Sequence, residues 1–286
     1  MTLDQMRLIT PIAAALLTLI PVAGNPQSDS GTSPAALAEE VIFVPLALST
    51  GEARLETTVY RPSASGPWPL AVINHGAAGY ADPSRQRRYR PVAIARFFLE
   101  RGYLVVAPMR QGFSKSTGTY AWNCDHETYA RRYAGDVAAV INYFVKSGQA
   151  QADRVLVVGQ SNGGMVALGY AAEFSSVDRR ARAIINFAGG INSSRPNCDW
   201  RNNMISAARS LGAKTDLPSL WIYAEDDPIF PPSVSKPFFD AYHSGNRRSF
   251  LKLYHTGGHN LSNLPVGSQI WISDIEQFLR EVGLPW

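Results

Sequence analysis

The chain has 286 residues, 45% hydrophobic and only 17% charged, which supplies one large core and excludes a disordered, charge-rich chain. Its 27 basic and 23 acidic residues are interspersed, and a net charge of +4 is too mild an excess for a nucleic-acid-binding surface. The sharpest basic cluster, Arg85, Arg87, Arg88 and Arg90, reads as a solvated loop and helix start rather than a phosphate patch.

At the N-terminus, Arg7 precedes an apolar run from Leu8 to Ile20, followed by Pro21 and the small residues Val22-Ala23-Gly24. This is the three-part layout of a secretory signal peptide. Residues 1–24 are therefore expected to be removed on export, to a secreted or periplasmic location. Residues 25–40 are expected to be a flexible lead-in containing Ser, Pro and Gly, and residues 41–286 one folded domain. The apolar run falls short of the roughly 20 residues that span a membrane, so no stable anchor is expected; a retained anchor is the alternative. The sequence sets no oligomeric state.

From there short apolar runs alternate with longer segments of helical period, the pattern of an α/β fold with a largely parallel sheet. Val41–Leu48 and Leu55–Tyr60 read as opening strands, and Leu70–Asn74 as a buried strand ending in HGAAG. Val92–Leu99 reads as a helix and Tyr103–Ala107 as the fourth strand. Tyr129–Val145 places Tyr133, Val137, Val140, Ile141 and Phe144 on one helical face. Val155–Val158, Ala183–Phe187, Leu220–Tyr223 and Phe250–Tyr254 are the remaining strands. A closing helix is expected over about Val266–Glu281, burying Ile275, Phe278, Leu279 and Val282.

Between Val158 and the helix that begins near Met165 lies Gly159-Gln160-Ser161-Asn162-Gly163. A serine hydroxyl is a weak nucleophile until a base takes its proton, and a strained strand-to-helix turn presents it to both base and substrate. After the strand LWIYA come Glu225-Asp226-Asp227-Pro228; Asp227 is the expected acid and Asp226 the runner-up. After the last strand, His259 follows two glycines and is the expected base, completing the chain order serine, acid, histidine. The backbone N–H groups of Ala77 and Asn162 are the expected oxyanion donors. His75 reads as a structural hydrogen-bonder of its turn. His255 and His259 have the spacing of a metal pair, but the glycines between them argue against a helix, so no metal is expected.

HGAAG, GQSNGG, DDPIFP and GGH, in this order from about Val41 onward, resemble the α/β-hydrolase superfamily, especially its dienelactone-hydrolase-like and carboxylesterase branches. APMRQGFSKS is similar to the Arg-Gly-Ser loop after the fourth strand in that superfamily. Dienelactone hydrolases carry a cysteine nucleophile where this chain has Ser161. The S-N-G-G stretch is also similar to prolyl-oligopeptidase-like peptidases, whose additional propeller domain this length does not accommodate. The resemblance implies a single-domain, mostly parallel eight-stranded sheet flanked by helices. It implies a serine hydrolase that cleaves carboxylic esters of a small-molecule acyl substrate through an acyl-enzyme on Ser161, without a cofactor. An amidase or exopeptidase with the same triad and a catalytically silent binding protein remain alternatives.

Only Cys124 and Cys198 occur, without C-x-x-C or metal-ligand spacing, and an even count in an exported chain points to a disulfide. In the sheet order that the resemblance implies, their loops rise on opposite sides of the pocket. The bond is then expected to brace its rim and to bring Trp122 and Trp200 in as apolar walls.

Overall fold

Val-, Ile- and Leu-rich runs fold as buried strands because branched side chains pack well on both faces of a covered sheet. This computed structural model describes residues 37–49, 51–79, 82–122, 124–174, 180–265 and 267–286. It holds one sheet of β1 (Glu40–Leu48), β2 (Gly51–Tyr60), β3 (Trp68–Asn74), β4 (Leu104–Pro108), β5 (Ala150–Gln160), β6 (Ala181–Phe187), β7 (Ser219–Ala224) and β8 (Ser249–Tyr254). The spatial order is β1-β2-β4-β3-β5-β6-β7-β8. Two pairs at one edge, β1 with β2 and β2 with β4, are antiparallel; every other neighbour is parallel. The eight-stranded, mostly parallel sheet expected from the sequence is thus the architecture of the chain.

The helices are α1 (Val92–Leu99), α2 (His126–Lys146), α3 (Asn162–Phe174), α4 (Trp200–Gly212), α5 (Pro232–Gly245) and α6 (Ile272–Glu281). Successive strand residues point to opposite faces, so each central strand feeds two cores. Leu70 and Val72 of β3 and Val155 and Val157 of β5 enter the core under α2 to α5. Ala71, Ile73, Leu156 and Val158 enter the one under α1 and α6. The five residues expected on one face of α2 are all fully buried. The sequence carries no sharp boundaries for α4 or α5; Pro237 lies inside α5 and masks its period.

Residues 1–24 and the lead-in up to residue 36 lie outside the described residues, and with them the expected signal peptide. The folded unit begins at Leu37, earlier than expected. Glu39 accounts for this, because its carboxylate pairs with Arg88 at 2.6 Å and Arg90 at 2.7 Å. Two members of the arginine cluster are thereby engaged within the fold. The closing helix starts at Ile272, later than expected. Gly267 has a left-handed φ of +87° there, and Trp271 turns into the core between Phe97 and Phe187. Val266 itself lies outside the described residues. Val282 caps the helix and is partly buried. No helix among the described residues is long and apolar enough to cross a membrane.

Candidate active site

In an open α/β sheet, the loops after the strand C-termini converge on one edge, and chemistry gathers there. His75 follows β3, Arg110 follows β4, Ser161 follows β5, Asp227 follows β7 and His259 follows β8. All five expected site residues, Ser161, Asp227, His259, Ala77 and Asn162, come together at this edge.

Ser161 occupies the turn between β5 and α3 with φ +54°, a left-handed conformation that costs a residue with a Cβ roughly 1–2 kcal/mol. The turn closes only because its neighbours are small. A Cβ on Gly159 would overlap the Gly163 carbonyl, and one on Gly163 would overlap the carbonyl of Asn74 at the end of β3. The Ser161 N–H donates to the Phe187 carbonyl at 3.0 Å, and its own carbonyl accepts from Gly164 at 2.8 Å and Gly190 at 3.0 Å. The strained turn is thus bonded on both sides.

Of the adjacent acids, Asp227 is the one that meets the histidine. Its Oδ2 lies 2.9 Å from His259 Nδ1, and its Oδ1 accepts from the backbone N–H groups of Ile229 at 2.8 Å and Phe230 at 3.1 Å. Burial works to raise its pKa, but the bonds from His259, Phe230 and Ile229 outweigh it and hold the carboxyl below its usual value. Asp227 stays ionised beside the imidazole. Asp226 faces the other way and accepts from Gly258 N–H at 2.8 Å, Gly257 N–H at 3.3 Å and the Thr256 hydroxyl at 3.1 Å. It fastens the loop that carries His259. His255 is turned to solvent against Glu225 at 2.7 Å, so the two histidines do not form a metal pair.

Ser161, His259, Ala77 and Asn162 line one cavity of about 210 Å³. Asn162 opens α3, where the first backbone N–H groups have no intrahelical acceptor and favour negative charge. The Ala77 turn is held by Gln86, whose amide oxygen accepts from Ala78 N–H at 2.9 Å and whose nitrogen donates to Gly76 O at 3.1 Å. His75 is structural, as expected. It is fully buried, its Nδ1 faces the Gly76 carbonyl at 2.6 Å, and its Nε2 accepts from Arg110 N–H at 3.1 Å. Burial, then the charge of Arg110, pushes its pKa well below the ordinary histidine value, so it stays neutral.

The rest of the wall is uncharged: the aromatic rings of Phe113, Tyr120 and Trp122 stand with Gly79, Pro83, Gln86, Asn192 and Ile229. The Arg195 guanidinium stacks 3.7 Å from the Trp122 ring centroid. Cys124 and Cys198 form a disulfide with Cα atoms 5.6 Å apart, which ties the Trp122 loop to the loop before α4. Trp122 is the wall that was expected. Trp200, expected as the second wall, does not line the cavity; it lies behind it against Phe230, ring centroids 6.1 Å apart, and Phe230 in turn faces His259 at 5.4 Å. Among the described residues no carboxylate lines the cavity. Glu127 is held by Lys214 at 2.6 Å and Arg131 at 3.4 Å instead.

Three positioning residues escaped the sequence reading: Gln86, Asp226 in its loop-fastening role, and Gln160. Gln160 donates to Asn260 Oδ1 at 2.9 Å and to the His259 carbonyl at 3.4 Å, which clips the histidine loop to the residue before Ser161. The arrangement can hold a nucleophile, a base, an ionised orienter and two oxyanion donors around one small space.

The family model for X-Pro dipeptidyl-peptidase (S15 family) matches residues 51–216. No curated protein matches the chain. Among solved structures, a protein assigned as a dienelactone hydrolase from Klebsiella pneumoniae subsp. pneumoniae is similar at 16% identity and a TM-score of 0.59. That likeness covers 87% of this chain and 99% of that one. An esterase from Pyrococcus furiosus is similar at 17% identity and a TM-score of 0.60, covering 85% and 92%. Esterase 2 of Thermogutta terrifontis, phosphorylated by paraoxon, is similar at 16% identity and a TM-score of 0.59, covering 86% and 95%. Likeness at these identities establishes the fold.

Proposed function

The chain belongs to the S15 family of X-Pro dipeptidyl-peptidases, within the α/β-hydrolase superfamily, and from that premise we propose a serine hydrolase that cleaves short carboxylic esters. Ser161 attacks the acyl carbon while His259 takes its proton, and Asp227 steadies the imidazolium that forms. The Ala77 and Asn162 N–H groups receive the oxyanion. His259 then returns the proton to the leaving alcohol, and water, activated by the same histidine, releases the acid from the acyl-enzyme.

The observation that carries the reading is the His259–Asp227 pair, which opens onto Ser161 in a cavity with neutral walls. An enzyme that removes dipeptides from a free amino terminus has to hold an ammonium group, and a desolvated cation needs a paired carboxylate. The described lining offers none, and about 210 Å³ suits a short acyl chain. Peptidase activity is the second reading, favoured by the family match itself. Export to a secreted or periplasmic location, with residues 1–24 as the signal peptide, is proposed alongside; the disulfide is compatible with it.

The test is a comparison of kcat/KM for p-nitrophenyl esters of graded acyl length against Xaa-Pro and aminoacyl p-nitroanilides. Short esters should be turned over fastest, and a fluorophosphonate probe should label Ser161 stoichiometrically. An anilide that surpasses every ester would establish the peptidase reading. Absence of label at Ser161 in folded protein would end both.

A further inference from the structure

The two cysteines sit in matching places. Each lies one residue before the Asp that caps a helix: Asp125 accepts from Thr128 N–H at 3.1 Å at the head of α2, and Asp199 from Asn202 N–H at 3.3 Å at the head of α4. The disulfide therefore bridges the positive ends of two helices, an environment that favours thiolate once the bond is opened.

His126, the first residue of α2, completes the cluster. Only 1% of it is exposed, yet neither ring nitrogen has a hydrogen-bond partner. Leaving a buried polar group unpaired costs roughly 1–3 kcal/mol, so native chains seldom keep one without a reason. One nitrogen of this ring lies with both Sγ atoms in a group whose members are all within 4.8 Å of one another. Asn203 Nδ2 already donates to Cys124 Sγ at 2.9 Å. A cavity of about 270 Å³, lined by Cys124, His126, Asn203 and Ser206, reaches the cluster.

We propose that Cys124, His126 and Cys198 form a Zn²⁺ site in the reduced protein, interchangeable with the disulfide. A dithiol reductant passes two electrons to the S–S bond and leaves as its own disulfide, and its two protons go to the cysteine sulfurs. Zn²⁺ then takes both sulfurs as thiolates, releasing those protons to solvent, and takes the free nitrogen of neutral His126. Zn–S bonds of about 2.3 Å in a tetrahedron set the sulfurs about 3.8 Å apart. Rotation about the two Cα–Cβ bonds reaches that spacing from Cα atoms 5.6 Å apart. Asn203 is placed to donate to one thiolate, and the fourth position faces the cavity, where water fits. Nothing in the chain spacing announces this set, because Cys198 is brought to Cys124 across a separation of 74 residues.

The experiment reduces the whole chain with a phosphine, removes the reductant anaerobically and titrates with Co²⁺ as the spectroscopic probe, then displaces it with Zn²⁺. Circular dichroism follows the fold throughout. The expected result is one Co²⁺ per folded chain, with a thiolate-to-cobalt charge-transfer band and the visible bands of tetrahedral cobalt. Zn²⁺ should abolish both and raise the Tm of the reduced protein. The oxidised protein and Cys124→Ser/Cys198→Ser should show no such bands. His126→Phe should bind at least about tenfold more weakly, and Asn203→Ala about tenfold. Reduced, folded wild-type chain without the charge-transfer band would overturn the proposal. So would a chain that binds cobalt only when unfolded, or a His126→Phe variant of undiminished affinity.

Discussion

Asp227→Asn is isosteric, and the structure dictates what it does. Oδ1 accepts from two backbone N–H groups, at 2.8 and 3.1 Å, and Oδ2 faces His259 Nδ1 at 2.9 Å. An amide has one acceptor oxygen, and the two backbone donors claim it, because reversing the amide would set its NH₂ against both at about 1–3 kcal/mol each. The NH₂ group therefore points at Nδ1, which must accept, and the ring proton moves to Nε2. His259 then has no lone pair for the Ser161 proton. A wrong tautomer of this kind costs about ten-thousand-fold in kcat, or about 5 kcal/mol of barrier, with little change in KM. The assay is p-nitrophenyl butyrate hydrolysis at neutral pH, with circular dichroism to match the folds. Asp226→Asn is the control; its amide oxygen can still accept from Gly258, so the loss should stay under about tenfold. A loss under about a hundredfold in Asp227→Asn, or a larger loss in Asp226→Asn, would refute the reasoning.

Ser161→Gly should be more stable than Ser161→Ala by roughly 1 kcal/mol, because only glycine adopts φ +54° without a Cβ conflict. Both should be inactive, and an equal or reversed order in urea unfolding would show that the turn stores no strain. Unreduced, denatured chain should take up no alkylating agent, and reduction without metal should cost about 4 kcal/mol in the chain-entropy model for a separation of 74 residues. Two alkylated thiols before reduction would rule the bond out. The unfolded chain takes up a proton near pH 6.5 that neutral, buried His75 refuses. Its contribution is therefore intact above that pH and falls below it, by up to about 1.4 kcal/mol per pH unit. Asp136, which burial pushes up to about 6 against its bonds from Gln111, acts in the opposite sense between about pH 4 and 6. The measurement is therefore the slope difference between parent and His75→Gln over about pH 5 to 7.5, where the stability of the variant should rise less steeply with pH, or fall, relative to the parent. Identical slopes would count against a neutral His75.

The central strands were legible because burial on both faces forces uninterrupted runs such as Val155–Val158. The tight turn that bears Ser161 was legible because close backbone approach admits only glycine at positions 159 and 163. Choosing Asp227 over Asp226 was legible through the proline that follows it. What the chain did not announce depends on segments that meet only after folding. Gln86 reads as one more polar residue in a basic stretch until its amide closes the Gly76–Ala78 turn. Gln160 acts on a loop about a hundred positions away. Asp226 looked like a rival for the same role, because its own partners, Gly257 and Gly258, lie in another loop. The start of α6 was misplaced because an amphipathic pattern continues through Gly267, whose backbone conformation no helix tolerates.

The contact between Gly163 and the Asn74 carbonyl leaves no side chain between the turn that bears Ser161 and the strand that leads to Ala77. A Cβ on Gly76 would likewise stand 3.0 Å from Ser161 Cβ. Two parts of the proposed reaction centre that abut in this way have no cushion, so a displacement of β3 against β5 would arrive there undiminished. Misplacement of about 1 Å can cost about a hundredfold in rate, far more than the same shift costs in folding energy. Neutral drift should therefore be sharply uneven in descendants of this chain. The aromatic rim and outer loops can change freely and with them the choice of substrate, while apolar substitutions beneath β3 and β5 that leave the protein well folded would be removed for their effect on turnover.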